Sequence, residues 1–283
     1  MPEFRYVICD VFTDRPLEGN PLAVFTDARG IPEALLQPLA RELHLSETVF
    51  CYPARGTAHV RIRIFTPEHE LPFAGHPVLG SAVVLAAPLQ LPEIVLETGM
   101  GPVPVRLERD GPRIVFGWMV QPVPRIEAVR DPAPVLRALG VERAALPVEL
   151  YDNGPRHLYV GLESEAEVAA LEPDMQALAR LYPRGTANCF AGADRRWKTR
   201  AFAPGAGVPE DPATGSAAGP LACHLARHGR IRFGEEIEIR QGAEISRPSV
   251  LFAKVEGTPA AIERVEVGGC AVTVARGEFR LPA

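Results

Sequence analysis

The chain has 283 residues, of which 47% are apolar and 23% charged, and its formal net charge is -5 at pH 7. This length and balance are typical of a globular protein of about two domains. The net negative charge without a basic run argues against a nucleic-acid partner, and no stretch approaches the ~20 apolar residues of a membrane helix. Because the first residues also lack the pattern of a signal peptide, we expect a cytoplasmic protein with neither a membrane nor a nucleic-acid partner.

The first half of the chain is predicted to contain short strands and two helices. Alternating or β-branched residues predict strands at FRYVICDVF (4–12), PLAVFTD (21–27), SETVFCYPA (46–54), AHVRIRIFTP (58–67), IVLETG (94–99), VPVRLER (103–109) and RIVFGWM (113–119). An amphipathic helix is predicted at 31–45. A second helix, HPVLGSAVVLAAPL (76–89), is apolar almost all round. A helix without a polar face is buried, so we expect a curved sheet wrapped around it.

The second half repeats this order of elements after a proline-rich boundary, QPVPRIEAVRDPAP (121–134), where the strand pattern stops. The predicted elements are strand RHLYVGL (156–162), a helix around PDMQALARL (173–181), strand WKTRAFAP (197–204), the apolar helix GSAAGPLACHLARHG (215–229), and strands EIEIRQG (236–242), PSVLFAKVEG (248–257) and AVTVARGEFRL (271–281). Aligning Phe65 with Phe202 gives an offset of 137 residues, and aligning Gly75 with Gly215 gives 140. We therefore predict one duplication with a three-residue insertion before the second apolar helix.

The two apolar helices begin at matching joints, in FAGHP at Gly75 and in ATGSA at Gly215. The free N–H groups and the dipole of a helix start attract anions, so two such starts facing each other across a cleft would hold a small carboxylate. Close helix packing is an equally good explanation of these glycines.

Three titratable residues are candidates for acid–base chemistry: Glu47 after the first helix, His76 at the first joint, and Asp211 at the second. Each alone fits an ordinary role as a solvated residue, a helix cap or a turn residue. Together in one cleft they would supply acid and base groups of different pKa.

Other site patterns are weak or absent. Five cysteines without a C-x-x-C pair favour reduced, mostly buried thiols. The two lysines, Lys198 and Lys254, lie near neither joint and offer no pyridoxal anchor, and His69, Glu70 and His76 lack metal-ligand spacing. Ser216 has no recognisable histidine partner at a nucleophile's spacing. We therefore expect no pyridoxal cofactor and no metal.

The motifs VFTDRPLEGNPLAVF, LSETVF, RIRIFTPEHELPFAGHPVLGSA, GPRHLYV, EDPATGSAAGPLACHL and QGAEISRPS cover nearly the whole chain in this order. With them the chain closely resembles the phenazine-biosynthesis isomerase (PhzF-like) family. The resemblance implies an α+β fold of the duplicated diaminopimelate-epimerase type, with two similar halves that are each a curved, mostly antiparallel sheet around a central apolar helix. The expected halves are 1–121 and 122–283, with the last strand, about 270–283, as a candidate to return to the first half.

The resemblance also implies site residues and an activity. It makes Glu47 the proton shuttle, assisted by His76 and Asp211, and assigns substrate binding to Gly75, Gly215 and Ser216. The epimerase branch carries a cysteine at each joint, whereas neither joint has one here. We expect a cofactor-independent isomerase of the trans-2,3-dihydro-3-hydroxyanthranilate isomerase type, a homodimer acting on a small carboxylate. The alternatives are an amino-acid epimerase and a non-catalytic protein that binds small acids.

Overall fold

The structure, a computed structural model, describes residues 2–281. These residues divide into two units. The first unit contains the described residues up to Val120 and those from Gly268 onward, and the second contains Gln121–Val267. Within the described residues, no helix is long and apolar enough to cross a membrane.

The described residues form strands and helices throughout both units. The strands are β1 (Glu3–Val11), β2 (Asn20–Phe25), β3 (Glu47–Pro53), β4 (Val60–Phe65), β5 (Glu70–Leu71), β6 (Glu93–Thr98), β7 (Gly101–Asp110), β8 (Arg113–Gln121), β9 (Arg125–Ala128), β10 (Glu149–Asp152), β11 (Arg156–Gly161), β12 (Gly185–Ala193), β13 (Arg196–Ala203), β14 (Val208–Asp211), β15 (Glu236–Gln241), β16 (Ser249–Thr258), β17 (Ala261–Gly269) and β18 (Ala271–Arg280). The α-helices are α1 (Glu33–Leu43), α2 (Gly75–Leu89), α3 (Ala133–Leu139), α4 (Glu165–Ala169), α5 (Met175–Leu181) and α6 (Gly215–Arg227). Short 3-10 helices lie at Pro204–Ala206 and Ala243–Ile245.

Strand pairing follows the same scheme in both units. In the first unit the order is β18, β1, β2, β3, β4, β6, β7, β8, with β5 beside β4. In the second it is β9, β10, β11, β12, β13, β15, β16, with β14 beside β13. The pairs β2/β3 and β4/β6, and their counterparts β11/β12 and β13/β15, are parallel, while the others are antiparallel. This repeated succession agrees with the predicted duplication.

The two apolar helices hold matching places in this scheme. Helix α2 follows β5 and packs against β1, β2 and β6, whereas α6 follows β14 and packs against β11 and β16. The first nine residues of α2 and the first twelve of α6 are buried. Both helices therefore lie inside their units, as their sequences predict.

Gly80 allows α2 to approach the sheet closely. A Cβ at this position would lie 2.7 Å from Leu22 Cδ2 and 2.7 Å from Val11 Cγ2. We expect Gly80→Ala to lower the free energy of unfolding by about 1 kcal/mol, because the cost of overpacking exceeds the helix propensity gained. Urea denaturation measures this change. Gly56→Ala is the control, since its added Cβ would meet nothing within 4 Å, and equal losses in the two variants would contradict close packing at Gly80.

The segment 121–134 differs from its prediction, since it contains strand β9 and the start of α3. In β9, Arg125 pairs with Asp152 of β10, and Ala128 pairs with Glu149. The side chains of β9 are mostly exposed. Backbone hydrogen bonds to β10 therefore form this strand without the apolar alternation that would reveal it in the sequence.

Candidate active site

In the first unit the structure brings together the predicted residues Glu47, Gly75 and His76. Glu47 is the first residue of β3, and Gly75 and His76 are the first two residues of α2. The Nε2 atom of His76 lies 3.3 Å from Oε2 of Glu47, and the two side chains are 3% and 14% exposed. The predicted base and its predicted assistant therefore share one largely buried position.

Asn20, which the sequence did not single out, determines the tautomer of His76. The Asn20 Nδ2 amide donates a hydrogen bond of 3.1 Å to Nδ1 of His76. Burial lowers the pKa of His76 to about 3, so the ring is neutral at pH 7. A neutral ring that accepts at Nδ1 carries its proton on Nε2. His76 therefore carries an N–H group, and not a lone pair, on the nitrogen that lies 3.3 Å from the Glu47 carboxylate.

We expect His76 to stay uncharged across the physiological pH range. In an NMR titration its Cε1–H resonance should not shift between pH 5 and pH 8, because the folded-state pKa is about 3. A His76 midpoint near pH 6.5 would contradict this assignment.

In the second unit Asp211 lies in a hydrogen-bond network with Thr214 and Gln241. The Thr214 hydroxyl donates to Asp211 Oδ2 over 2.6 Å. The Gln241 amide donates to Thr214 Oγ1 over 2.9 Å and to the Asp211 carbonyl oxygen over 2.8 Å, while its Oε1 accepts from the Thr214 N–H over 3.1 Å. Asp211 is buried and its carboxylate is held just before the start of α6.

Side chains from outside α6 bind the carbonyl groups of its first turn. Pro220 has no N–H group, so it cannot supply the usual helix bond to the carbonyl oxygen of Ser216. The Asn153 amide donates to that oxygen over 2.9 Å instead. Gln121 likewise donates to the carbonyl oxygen of Gly215 over 2.8 Å. These contacts fix the start of α6 from its outside.

The structure places a histidine beside Ser216 that no sequence spacing singled out. The Nε2 atom of His157 lies 3.1 Å from the Ser216 hydroxyl oxygen, and both side chains are buried. The two residues are 59 positions apart, with His157 on β11, so no local spacing could reveal the pair. His157 does occur in GPRHLYV, one of the motifs that carry the family resemblance.

The starts of α2 and α6 are both suited to an anion. Their N-cap residues, Ala74 and Thr214, make no side-chain cap hydrogen bond to the helix. The first N–H groups of a helix lack the usual carbonyl partner four residues earlier and point along its axis. In α6 the Ala217 N–H donates to the Thr214 carbonyl oxygen over 2.9 Å. Since Glu47 belongs to one unit and Asp211 to the other, the meeting of both joints in one cleft stays a prediction of the sequence.

A further cluster of titratable residues lies within the second unit. Oε2 of Glu149 is 3.1 Å from His224 Nδ1, 3.1 Å from His228 Nε2 and 2.9 Å from Arg227 Nη1. It also accepts a 2.9 Å hydrogen bond from the Tyr151 hydroxyl. Glu149, His224 and His228 are close enough to act as metal ligands. The Arg227 guanidinium already supplies a cation to the same oxygen, so we interpret the cluster as an anchor for the end of α6.

Comparison with known proteins adds to this description. The chain matches the PhzC-PhzF family, described as phenazine biosynthesis-like protein, over residues 9–277. It is 52% identical to the trans-2,3-dihydro-3-hydroxyanthranilate isomerase of Pseudomonas fluorescens and 50% identical to that of Pseudomonas aeruginosa. Each match spans 277 residues, covering 98% of this chain and 99% of the relative.

Solved structures show the same fold. A phenazine biosynthesis protein of the PhzF family from Bacillus anthracis matches with a TM-score of 0.85 at 23% identity, covering 99% of this chain and 100% of that one. A probable proline racemase from Agrobacterium radiobacter matches with a TM-score of 0.68 at 15% identity, covering 99% and 93%. At these identities the matches concern the fold alone, and they confirm the predicted duplicated α+β fold. Because the family match covers nearly the whole chain and the two isomerases match along almost their full lengths, the chain belongs to the PhzC-PhzF family of phenazine biosynthesis-like proteins.

Proposed function

We propose that the chain is a cofactor-independent isomerase that moves a proton within trans-2,3-dihydro-3-hydroxyanthranilate or a closely similar unsaturated carboxylic acid. The observation that carries this proposal is the Glu47 carboxylate, largely buried and 3.3 Å from the neutral His76 ring. Two relatives at 52% and 50% identity are isomerases of this substrate, which confirms the predicted isomerase class.

Glu47 is assigned as the proton shuttle. Its carboxylate takes a proton from one carbon of the substrate, so that the C–H electron pair enters the conjugated system as the double bond shifts. The protonated Glu47 then returns the proton to another carbon, which restores the carboxylate. Because one carboxylate reaches only one face of the substrate, both transfers occur on that face.

His76 supports these steps as a hydrogen-bond donor. It is neutral, and its proton is on the nitrogen that faces Glu47. Such a group stabilises negative charge without competing for the transferred proton. We further propose that Asp211 assists the proton transfer and that Gly75, Gly215 and Ser216 bind the substrate.

The cysteines do not favour the epimerase alternative. Burial raises the pKa of the Cys9, Cys51, Cys189 and Cys223 thiols to about 12. Cys223 lies inside α6 and not at its start. A protonated, buried thiol is a poor base, so these residues do not replace the paired thiols of the epimerase branch.

Turnover in D2O tests the proposal. Purified protein is mixed with trans-2,3-dihydro-3-hydroxyanthranilate, and the product is analysed by NMR. We expect the proton to move to a different carbon on the same face. Inversion at a single carbon with solvent deuterium would instead establish an epimerase, and binding without exchange or turnover would establish a binding protein. The cytoplasmic location and the homodimer stay predictions of the sequence.

A further inference from the structure

His157 and Ser216 form a buried pair at the start of α6. The distance between His157 Nε2 and Ser216 Oγ is 3.1 Å, and the two residues are 1% and 5% exposed. We propose that His157 is a positioning residue that makes the Ser216 hydroxyl a hydrogen-bond donor toward the carboxylate of the substrate. This inference rests on the proposed function, in which Ser216 contacts substrate.

The protonation of His157 determines the direction of the hydrogen bond. Burial lowers the pKa of His157 to about 3, so its ring is neutral and carries one proton. Its Nδ1 atom has no hydrogen-bond partner among the described residues. A buried N–H without a partner is rarer than a buried acceptor without one, which favours the proton on Nε2. His157 therefore donates to Ser216 Oγ.

This direction leaves the proton of the Ser216 hydroxyl available for a second acceptor. A serine hydroxyl offers one donor and two acceptor positions, and His157 occupies one of the acceptor positions. The carbonyl oxygen of Ser216 is held by Asn153, so the backbone at this residue is also fixed. A hydroxyl whose oxygen accepts a hydrogen bond becomes a better donor, because linked hydrogen bonds polarise one another.

The chemistry of the ligand follows from the donors at this point. The hydroxyl of Ser216 and the N–H groups that open α6 are all hydrogen-bond donors. Donors alone suit an anionic oxygen, and the helix dipole favours negative charge at the same end. A small carboxylate therefore fits this position, and its neutral amide analogue fits it less well.

A double-mutant cycle tests the inference. The variants are His157→Leu, Ser216→Ala and the two combined, and the readout is the Kd of 3-hydroxyanthranilate by calorimetry, which does not depend on turnover. We expect each single variant to weaken binding about tenfold, the effect of losing one hydrogen bond to a charged group. Because His157 acts through Ser216, the double variant should be no weaker than Ser216→Ala.

His157→Gln separates positioning from packing. Its amide N–H can still donate to Ser216, so we expect a Kd within about threefold of the unmodified protein. Tyr159→Phe is the matched control: it removes a hydrogen bond to the carbonyl oxygen of Ala217 in the same helix turn and should leave Kd unchanged. Melting curves verify folding, and His157→Met replaces His157→Leu if the latter does not fold.

Two results would overturn the inference: additive losses of about a hundredfold in the double variant, or unchanged binding in His157→Leu. A failure of the proposed function is a separate result. If the unmodified protein does not isomerise its proposed substrate but the cycle shows coupling, the function is wrong and the positioning role stands. If it isomerises the substrate and the cycle shows no coupling, the positioning role is wrong.

Discussion

Glu47→Gln should lower kcat by about a hundredfold to ten-thousandfold, the range for loss of a general acid–base group. The amide keeps the shape of the side chain at the start of β3 but cannot take up the proton. Rates with trans-2,3-dihydro-3-hydroxyanthranilate measure the effect, while thermal melting should show a folded protein. KM should change much less than kcat, because the lost interaction belongs to the transition state.

Glu42→Gln is the matched control for this prediction. Glu42 is exposed near the end of α1 and precedes Glu47 by five residues. Its replacement makes the same chemical change away from His76 and should leave kcat unaltered. Normal turnover by folded Glu47→Gln protein would exclude Glu47 as the proton shuttle.

Glu149→Gln should reduce the stability of the second unit by about 3 kcal/mol, the lower end of the range for breaking a buried charged network. The neutral amide leaves Arg227 without its charged partner and removes an acceptor shared by His224 and His228. Urea denaturation measures this loss. Glu142→Gln, at an exposed residue of the same unit, should change stability little. Equal stabilities of the two variants would show that the anchor contributes nothing.

The same cluster should make the protein sensitive to acid. Burial alone would raise the pKa of Glu149, but hydrogen bonds from His224, His228 and Tyr151 and the charge of Arg227 hold it well below its usual value of 4.5. The unfolded chain therefore binds a proton more readily than the folded protein does. The stabilisation is complete above about pH 4.5 and is lost as the pH falls further, and it should be missing from the pH profile of Glu149→Gln.

The sequence predicts best those features whose signal is local. Helices α2 and α6 are long apolar stretches opened by glycine, and both are observed within two residues of their predicted bounds. Strand β12 is not among the predicted elements, since its sequence GTANCFAGA is mostly small residues without alternation. Its parallel pairing with β11 forms this strand, although its side chains lack the alternation that would predict one.

The residues of the candidate site also fall into those that local sequence motifs identify and those that they do not. Glu47 and His76 could be identified as candidates because they lie in LSETVF and FAGHP, two of the motifs that carry the family resemblance. Their supporting residues could not, because the contact between Asn20 and His76 spans 56 positions and that between His157 and Ser216 spans 59. Such contacts depend on how strands are ordered in a sheet, and the periodicity of a sequence does not reveal strand order.

The hydrogen bond from Asn20 to His76 also determines where a proton on Glu47 cannot go. Nε2 of His76 already holds a proton, and the amide N–H of Asn20 occupies the lone pair of Nδ1. An amide does not release protons at physiological pH, so the His76 ring cannot relay a proton from Glu47 to the protein interior. A proton on Glu47 can instead pass to the substrate or to water that reaches the carboxylate. The fraction of substrate isotope retained in the product therefore reports how well the Glu47 carboxylate is shielded from solvent water during a turnover.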